Sequence, residues 1–443
     1  MAQNRDAISK AVPTSRVERF LRLGGIASGI AGSVAAGGIR ALAQGNRPEI
    51  AKLLLTQSNT LRLTNGLSNL RGAALKLGQM LSMDSGLILP DELTLILAQI
   101  RDDARHMPPK QLQTVLNAEW GVGWYKRFEN FDVRPFAAAS IGQVHRAKTH
   151  DGQDLAIKVQ YPGVRESIDS DVDNIAMLMH LPGIVPSGMD LKPLMDEAKH
   201  QLHAETDYLA EAQHLNTFGK LLAGSKTFLL PKLNIDLCSP QVLAMTYIES
   251  DPLENLIDAP QEKRDRTVLA LIELVLSELF IFGVMQTDPN IANYRYDPKT
   301  QRIVLLDFGA VQSISDELSA DFRNLALAAL EGKSEQTRSA MQRIGYFRNE
   351  TAQHHKELII EMFNLAMEPL RQESPFDFGN IDLLMRLSDI GRAISNDREL
   401  AHVPPAATLF LHRKIAGIYL IAAKLKARVA LRPILESALR LAN

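Results

Sequence analysis

Apolar residues recur every three or four positions from residue 50 to about 120, and again from residue 316 to the end of the chain. This is the spacing of one buried face of an α-helix. Pro90 and the pair Pro108-Pro109 divide the first stretch into separate helices, the last of which ends near Trp120. From Phe131 the pattern changes to short β-branched runs between turns, which predicts the strands of a small sheet.

Two longer helices are predicted within the middle of the chain. Residues 191–222, rich in Glu, Asp and Lys, are predicted as one long helix, and residues 264–282 as an apolar helix. The strand Val242–Ile248 loses its pattern at residues 249–252, which suits a connection between two lobes. The pattern predicts an α+β fold in four parts: a tail with a Gly/Ala-rich apolar segment (1–44), a helical extension (45–125), a small β-rich lobe with inserted helices (126–248) and a helical lobe (249–443).

Composition narrows the class of protein. The chain has 443 residues, more than one typical domain, and its 46% hydrophobic and 23% charged residues indicate a globular protein. The chain has a net charge of −2 and therefore lacks the excess of basic residues that is typical of nucleic-acid-binding proteins. No nucleic-acid partner is expected. The single cysteine, Cys238, excludes an internal disulfide, indicates a reducing compartment and leaves nothing for a zinc cluster.

Two apolar runs raise the question of membrane contact. Leu23–Ile39 is uncharged, but it is short for a transmembrane helix and rich in Gly and Ala. It fits a small-residue helix packed on protein, and a segment that touches a membrane is the open alternative. The run Ile415–Ala423, between Lys414 and Lys424, is too short to span a bilayer and is predicted to be a buried helix.

Three short strings carry candidate chemistry. Ala156-Ile-Lys158 ends an apolar strand, Asp288-Pro-Asn-Ile-Ala-Asn293 has the Asp-x-x-x-x-Asn spacing of a catalytic loop, and Asp307-Phe-Gly309 follows a second strand. In this order they predict a phosphoryl-transfer site of the protein-kinase-like kind. We expect Lys158 to bind the α- and β-phosphates of ATP or ADP, and Asp288 to act as catalytic base or to orient the nucleophile. Asn293 and Asp307 are expected to hold Mg²⁺.

The segment before Lys158 is predicted to cover the nucleotide. Aligned with Gly-x-Gly-x-x-Gly-x-Val, it keeps Gly142 and Val144 but has Ala137 and Ala139 at the first two glycine positions. A Cβ restricts φ to negative values, so a stiffer loop conformation is expected. The predicted nucleotide contacts are Ala137, Ala138, Ala139, Ser140, Ile141, Gly142, Gln143, Val144 and Lys158, with Met245 and Ile248 on the predicted strand that leads to the interlobe connection.

An acidic string and two absences complete the pattern. Lys158 needs a carboxylate partner, and Glu205-Thr-Asp207-Tyr-Leu-Ala-Glu211 offers three candidates; helical spacing puts Glu205 and Glu211 nearly opposite, so they cannot all serve one purpose. The His-Arg pair that normally precedes the catalytic Asp is replaced by Gln286-Thr287. Only eight residues separate Asp307 from Asp316, too few for a long activation segment, and no Ala-Pro-Glu follows. A peptide substrate therefore has no obvious platform.

Together with Lys76-Leu-Gly-Gln79, these strings resemble the UbiB family of atypical kinases, which support ubiquinone biosynthesis in bacteria and mitochondria. The resemblance runs from about residue 45 to the C-terminus. Within the family, the chain resembles the mitochondrial-type branch, or a bacterial relative of it. It implies a two-lobed protein-kinase-like fold with a helical N-terminal extension. It also implies that Lys76 and Gln79 lie on a helix across the peptide site, that Glu205 and Asp207 hold Lys76, and that Glu211 pairs with Lys158.

The expected function is therefore that of a Mg-ATP-dependent ATPase or small-molecule kinase in isoprenoid-quinone metabolism. A true protein kinase and a nucleotide-sensing scaffold with little turnover are the alternatives. The expected partners are isoprenoid lipids or quinone intermediates and quinone-biosynthesis proteins. The expected location is the cytoplasm, with peripheral contact with a bacterial inner membrane as an open possibility.

Overall fold

The computed structural model describes residues 106–179, 192–396 and 405–441. The chain divides into two compact units. Of the described residues, 106–179, 192–216 and 231–247 belong to the first unit, and 217–230, 248–396 and 405–441 to the second. The segment Leu23–Ile39 lies outside the described residues. Within the described part of the chain, no helix combines the length and the apolar character needed to cross a membrane.

The first unit is built on an antiparallel sheet. Its strands are β1 (Phe128–Phe131), β2 (Ala137–Ala138), β3 (Gly142–Thr149), β4 (Asp154–Gln160) and β6 (Val242–Thr246). They are arranged in the order β1-β3-β4-β6, with β2 paired to β3 as a short hairpin. Because directly opposed residues of an antiparallel pair project to the same side, this register assigns every side chain to one of two faces.

One face of this sheet is covered by helix α1, which begins at Pro109 and ends at Trp120, as the proline pair and the apolar spacing predicted. Its apolar residues join Ile157, Val159 and Ala244 of the sheet in one buried cluster. The indole Nε1 of Trp120 donates to the carbonyl of Leu237 at 3.0 Å. The last helix of the predicted extension therefore shares its core with the β-rich unit.

The acidic segment of the first unit is two helices, and the prediction of one long helix over residues 191–222 is wrong. The helices here are α2 (Val164–Met179), α3 (Lys192–Glu205) and α4 (Tyr208–Leu221), of which α4 runs on into the second unit. The break lies at Thr206-Asp207, where the Asp207 Oδ1 accepts from the backbone N–H of Ala210 at 2.9 Å. Aspartate is a favoured N-cap, so it starts a new helix here.

The second unit is mainly helical, with short strands around the predicted catalytic strings. The strands are β5 (Phe228–Leu229), β7 (Asp251–Pro252), β8 (Val284–Gln286), β9 (Tyr294–Asp297), β10 (Arg302–Leu305), β11 (Val311–Ser313), β12 (Phe376–Asp377) and β13 (Arg428–Val429). One four-stranded sheet has the order β5-β10-β9-β7, and two further pairs are β8 with β11 and β12 with β13. The helices are α5 (Gln261–Ser277), α6 (Asp316–Leu330), α7 (Ser334–Ile344), α8 (Gln353–Ala366), α9 (Glu368–Arg371), α10 (Asp382–Asn396), α11 (Ala406–Lys424) and α12 (Leu431–Leu441).

Helix α11 contains the run Ile415–Ala423, which was predicted to be buried between two lysines. That interpretation is wrong at its first end, because Lys414 is 1% exposed while Ile415 is 50% exposed. Lys414 faces into the unit, and the apolar run presents part of its surface outward.

Candidate functional site

Lys158 lies on the face of the first-unit sheet opposite to α1. It is directly opposed by Val144 of β3 and Leu243 of β6, and its neighbour on the same face, Ala156, is opposed by Met245. Two of the predicted nucleotide contacts, Val144 and Met245, therefore share a face with Lys158. Ala156 and Leu243 share it too, although the sequence reasoning did not name them as contacts. The register of the strands was the signal that would have found them.

Lys158 forms a buried ion pair with Glu211 of α4. Its Nζ lies 2.9 Å from Oε2 and 3.0 Å from Oε1, and the two side chains are 11% and 2% exposed. The ring of Tyr208, one helical turn before Glu211, lies with its centroid 4.9 Å from the same Nζ. A cation so enclosed is favoured only when its partners are well placed. Tyr208 is a further site residue that the sequence reasoning passed over.

The alanine-rich segment is a tight hairpin rather than an open loop. Ala137 and Ala138 form β2, and the N–H of Ala139 donates to the carbonyl of Gly142 at 2.9 Å. Gly142 is required for steric reasons, since a Cβ there would lie 2.4 Å from the carbonyl oxygen of Val159. The hairpin is thus fixed to β4 two residues from the strand position of Lys158, which agrees with the stiffness expected of an alanine-rich segment.

Two predicted nucleotide contacts, Gln143 and Ile141, have buried side chains. Gln143 is fully buried; its amide accepts from the N–H of Met107 at 2.8 Å and lies 2.9 Å from the Nε2 of His145. Ile141 is 1% exposed. Strand alternation turns the Gln143 side chain to the face opposite to Lys158, and the nucleotide contacts of Gln143 and Ile141 stay predictions.

His145 is held as a neutral imidazole in the same core. Its Nδ1 lies 2.8 Å from the carbonyl of Asp132, so Nδ1–H donates there and Nε2 accepts from Gln143. Burial lowers the pKa of His145 to about 4. The core beneath the hairpin therefore carries a polar chain from Met107 through Gln143 and His145 to Asp132.

The two acidic residues that the resemblance assigned to Lys76 have other visible contacts. The Ser140 hydroxyl of the hairpin donates to Glu205 Oε2 at 2.5 Å, and Asp207 caps α4. Lys76 and Gln79 lie outside the described residues. Since Glu205 and Glu211 lie on different helices, the argument from spacing on one helix does not apply, although the two carboxylates do contact different partners.

In the second unit, Asp288 follows β8 and begins the predicted catalytic loop. Its backbone carbonyl accepts from the amide groups of Gln286 at 2.7 Å and Asn293 at 3.0 Å. Its carboxylate Oδ1 lies 3.6 Å from Nη2 of Arg413 on α11, and the two side chains are 12% and 16% exposed. The side chains of Gln286 and Asn293 therefore hold the backbone of Asp288, and Arg413 lies beside its carboxylate.

Asp307 is joined to this loop through the backbone. The N–H of Leu306 donates to the carbonyl of Asn293 at 3.2 Å, and the Oδ1 of Asp307 accepts from the N–H of Gly309 at 2.9 Å. Phe308 is 2% exposed and packs on Phe218 with ring centroids 4.8 Å apart. The residues predicted to hold Mg²⁺, Asn293 and Asp307, are thus brought together in one part of the second unit.

The chain between Asp307 and α6 is as short as the sequence indicated. Val311–Ser313 forms β11, which pairs with β8, and the N–H of Thr287 donates to the carbonyl of Ala310 at 2.8 Å. Ser315 then caps α6. The segment that is long in protein kinases is here a single strand and a cap.

Comparison with known proteins identifies the family. The ABC1 atypical kinase-like domain matches residues 99–341. Over 424 residues the chain is 37% identical to the atypical kinase COQ8, mitochondrial, of Saccharomyces cerevisiae, covering 95% of this chain and 84% of that protein. It is 34% identical over 429 residues to the atypical kinase COQ8B, mitochondrial, of Rattus norvegicus, covering 96% and 81%. The solved structure of Rv3197 with erythromycin, from Mycobacterium tuberculosis, has a TM-score of 0.59 and 26% identity, covering 87% and 96%.

The chain therefore belongs to the ABC1 family of atypical kinases, the class that its fold and site define. Within that class it is similar to the COQ8 proteins, so the predicted membership of the UbiB family, in its mitochondrial-type branch or as a bacterial relative of that branch, is confirmed. The predicted enzyme class, an atypical kinase or ATPase of the family that supports ubiquinone biosynthesis, is confirmed with it. The kinase-like α+β fold, which is that of nucleotide-binding proteins, is confirmed as well.

Proposed function

We propose that this protein uses Mg-ATP for hydrolysis or for phosphorylation of a small molecule. In the first unit, Lys158 binds the α- and β-phosphates and Glu211 holds its ammonium in place. The apolar face formed by Val144, Ala156 and Met245 suits a nucleotide base, since such sites are mostly apolar with a few fixed polar groups. The observation that carries the proposal is the buried pair of Lys158 and Glu211 on this face.

The second unit supplies the metal and the reacting groups in this proposal. Asn293 donates its amide N–H to Asp288, so its amide oxygen is directed elsewhere and is suited to Mg²⁺ beside the carboxylate of Asp307. Mg²⁺ supplies neutralisation of the phosphate charge when it is bound. Asp288, whose backbone is fixed by two amides, orients the attacking oxygen.

The acceptor we propose is water or a small isoprenoid-quinone intermediate rather than a protein. The short β11 in place of a long activation segment leaves no platform on which a peptide backbone would lie. The relatives are named as mitochondrial. For this chain we propose a cytoplasmic protein that contacts a membrane peripherally, where a lipid substrate would be available.

Lys158→Met tests the proposal, with Lys148→Met as its matched control. Lys148 lies on β3 of the same sheet, but its side chain is 45% exposed and pairs with Glu129 on the surface. Lys158→Met is expected to lower ATP turnover at least about 100-fold, because the phosphates lose their positioning cation, whereas Lys148→Met is expected to change nothing. ADP release is measured with and without quinone precursors and liposomes. A Lys158→Met protein with parental turnover would refute the proposal.

A further inference from the structure

A lysine that the proposed reaction does not use lies buried behind the catalytic loop. Lys414 of α11 is 1% exposed, and its Nζ lies 3.0 Å from Oε1 of Gln286, 3.1 Å from the hydroxyl of Tyr294 and 3.3 Å from Oε2 of Glu278. Gln286 and Tyr294 each accept a hydrogen bond from this ammonium group, and Glu278 adds an ion pair. Burial favours the neutral amine, but Glu278 and Tyr294 outweigh that effect and hold the pKa of Lys414 above its ordinary value.

Gln286 connects this lysine to Asp288. Its Oε1 accepts from Lys414, and its Nε2 donates to the carbonyl of Asp288 at 2.7 Å. Its backbone N–H donates to Oε1 of Glu278 at 3.3 Å. Glu278 therefore holds the backbone of Gln286, and Lys414 holds its side chain. Through the bond from Nε2, Gln286 in turn holds the backbone carbonyl of Asp288.

The neighbouring residue on α11 faces the carboxylate of Asp288. Nη2 of Arg413 lies 3.6 Å from Oδ1 of Asp288. The next residue of the same helix, Lys414, contacts Gln286 just before the loop. The arginine that normally precedes the catalytic aspartate is Thr287 here. Helix α11 thus supplies cations where the local motif has none.

Two observations indicate that this network is retained for more than stability. A buried ion pair is rarely more stable than well-packed apolar residues of the same volume, so its presence calls for another role. Glu278 also begins a π-helical turn, Glu278–Phe282, directly after α5. Such turns are rare and occur frequently at functional sites.

We propose that Lys414 is a positioning residue for phosphoryl transfer, acting through Gln286 to hold Asp288, while Arg413 holds the Asp288 carboxylate. This inference rests on the proposed function, because it assigns to Asp288 the orientation of the nucleophile. Lys414 itself contacts no substrate. Its contribution is to keep the backbone of Asp288 in one place while the reaction proceeds.

The test is steady-state ATP hydrolysis by Lys414→Met, with Lys424→Met as the matched control on the same helix. Lys424 pairs with Glu254 and its side chain is 55% exposed. Lys414→Met is expected to lower kcat at least about 10-fold, with KM for ATP and the thermal shift by Mg-ATP nearly unchanged, because only the reacting geometry is lost. Lys424→Met is expected to match the parent protein.

Two further variants separate positioning from folding. Because Lys414→Met leaves the Glu278 carboxylate without its cation, Glu278→Gln/Lys414→Met is measured alongside, and a folded double variant with the kcat loss supports the proposal. Gln286→Met should reproduce the loss, and combining it with Lys414→Met should add little, since both act on one path. A folded variant with parental kcat, or fully additive losses, would overturn the proposal. A parent protein without ATP turnover would refute the proposed function instead.

Discussion

Among the described residues, each of the two units contains a buried lysine–glutamate pair, and the pairs differ in what surrounds them. In the first unit, Lys158 and Glu211 are 2.9 Å apart and the lysine side chain is 11% exposed. In the second, Lys414 and Glu278 are 3.3 Å apart and both are 1% exposed. The first lysine keeps some exposure on the sheet face that it shares with Val144 and Leu243, and in the proposed function it binds phosphate there. The second is enclosed by protein acceptors, so it can hold other groups in place but cannot bind a ligand.

Under the two proposals above, the same pair of residues serves two kinds of role according to access. A buried cation that keeps some exposure can exchange contacts with a ligand at modest cost, whereas one that is fully satisfied within the protein stiffens its surroundings. Glu278→Ala and Glu211→Ala test this difference directly. The two later predictions concern a buried imidazole in each unit and the cap of α4, in order of decreasing expected effect.

Glu278→Ala is expected to reduce the free energy of unfolding by about 3–5 kcal/mol, because it leaves Lys414 charged and buried without its carboxylate. Glu211→Ala is expected to cost less stability, since Lys158 is more accessible and can be reached by water. Urea denaturation of both variants beside the parent measures the difference. The opposite order of stability would show that the two pairs are not distinguished by access.

Acid should destabilise the protein through a buried imidazole in each unit. Burial lowers the pKa of both His145 and His412 to about 4, from 6.5. Since the unfolded chain takes up these protons below about pH 6.5, each histidine contributes stability above that pH that is lost as the pH falls towards 4. The loss is about 3 kcal/mol for each.

His145→Gln and His412→Gln assign that acid sensitivity to one unit or the other. Each substitution is expected to reduce the loss of unfolding free energy between pH 7 and pH 4.5, measured by denaturation at a series of pH values. His145 has backbone and side-chain partners, and His412 bonds to Tyr346 at 2.6 Å. If the pH dependence of both variants equalled that of the parent, the acid sensitivity would have another origin.

The smallest expected effect concerns the break before α4. Asp207→Ala is expected to cost about 1 kcal/mol, because the N–H of Ala210 loses its cap, and Asp207→Asn is expected to restore most of it. Thermal denaturation of the two variants provides the measurement. Equal melting temperatures for parent and Asp207→Ala would mean that the cap does not determine where this helix starts.

Local signals predicted much of the fold and the candidate site from sequence. Pro109 and the apolar spacing gave the bounds of α1, and β-branched runs located the strands beside Lys158 and Asp307. The break at Asp207 was missed because a cap inside an acidic string looks like one more acid on a continuous helix. Capping preference was the signal available there.

Contacts between residues far apart in the chain could not be predicted from the spacing of apolar residues. Lys414 was placed on the flank of an apolar run, because nothing near it in sequence shows that Gln286 and Glu278 lie at its ammonium. Gln143 was expected to face a nucleotide, and only the pairing of β3 with β4 shows that it faces the core. Both depend on partners more than 15 residues away in the chain.

The pairing of β11 with β8 limits how far Asp-Phe-Gly can rearrange. In protein kinases the packing of this phenylalanine distinguishes active from inactive states. Here Phe308 is packed on Phe218, and the residues after it are hydrogen-bonded to the start of the predicted catalytic loop. Displacing Phe308 would separate two packed rings, so these contacts favour one resting arrangement of Asp307 and disfavour switching through this phenylalanine.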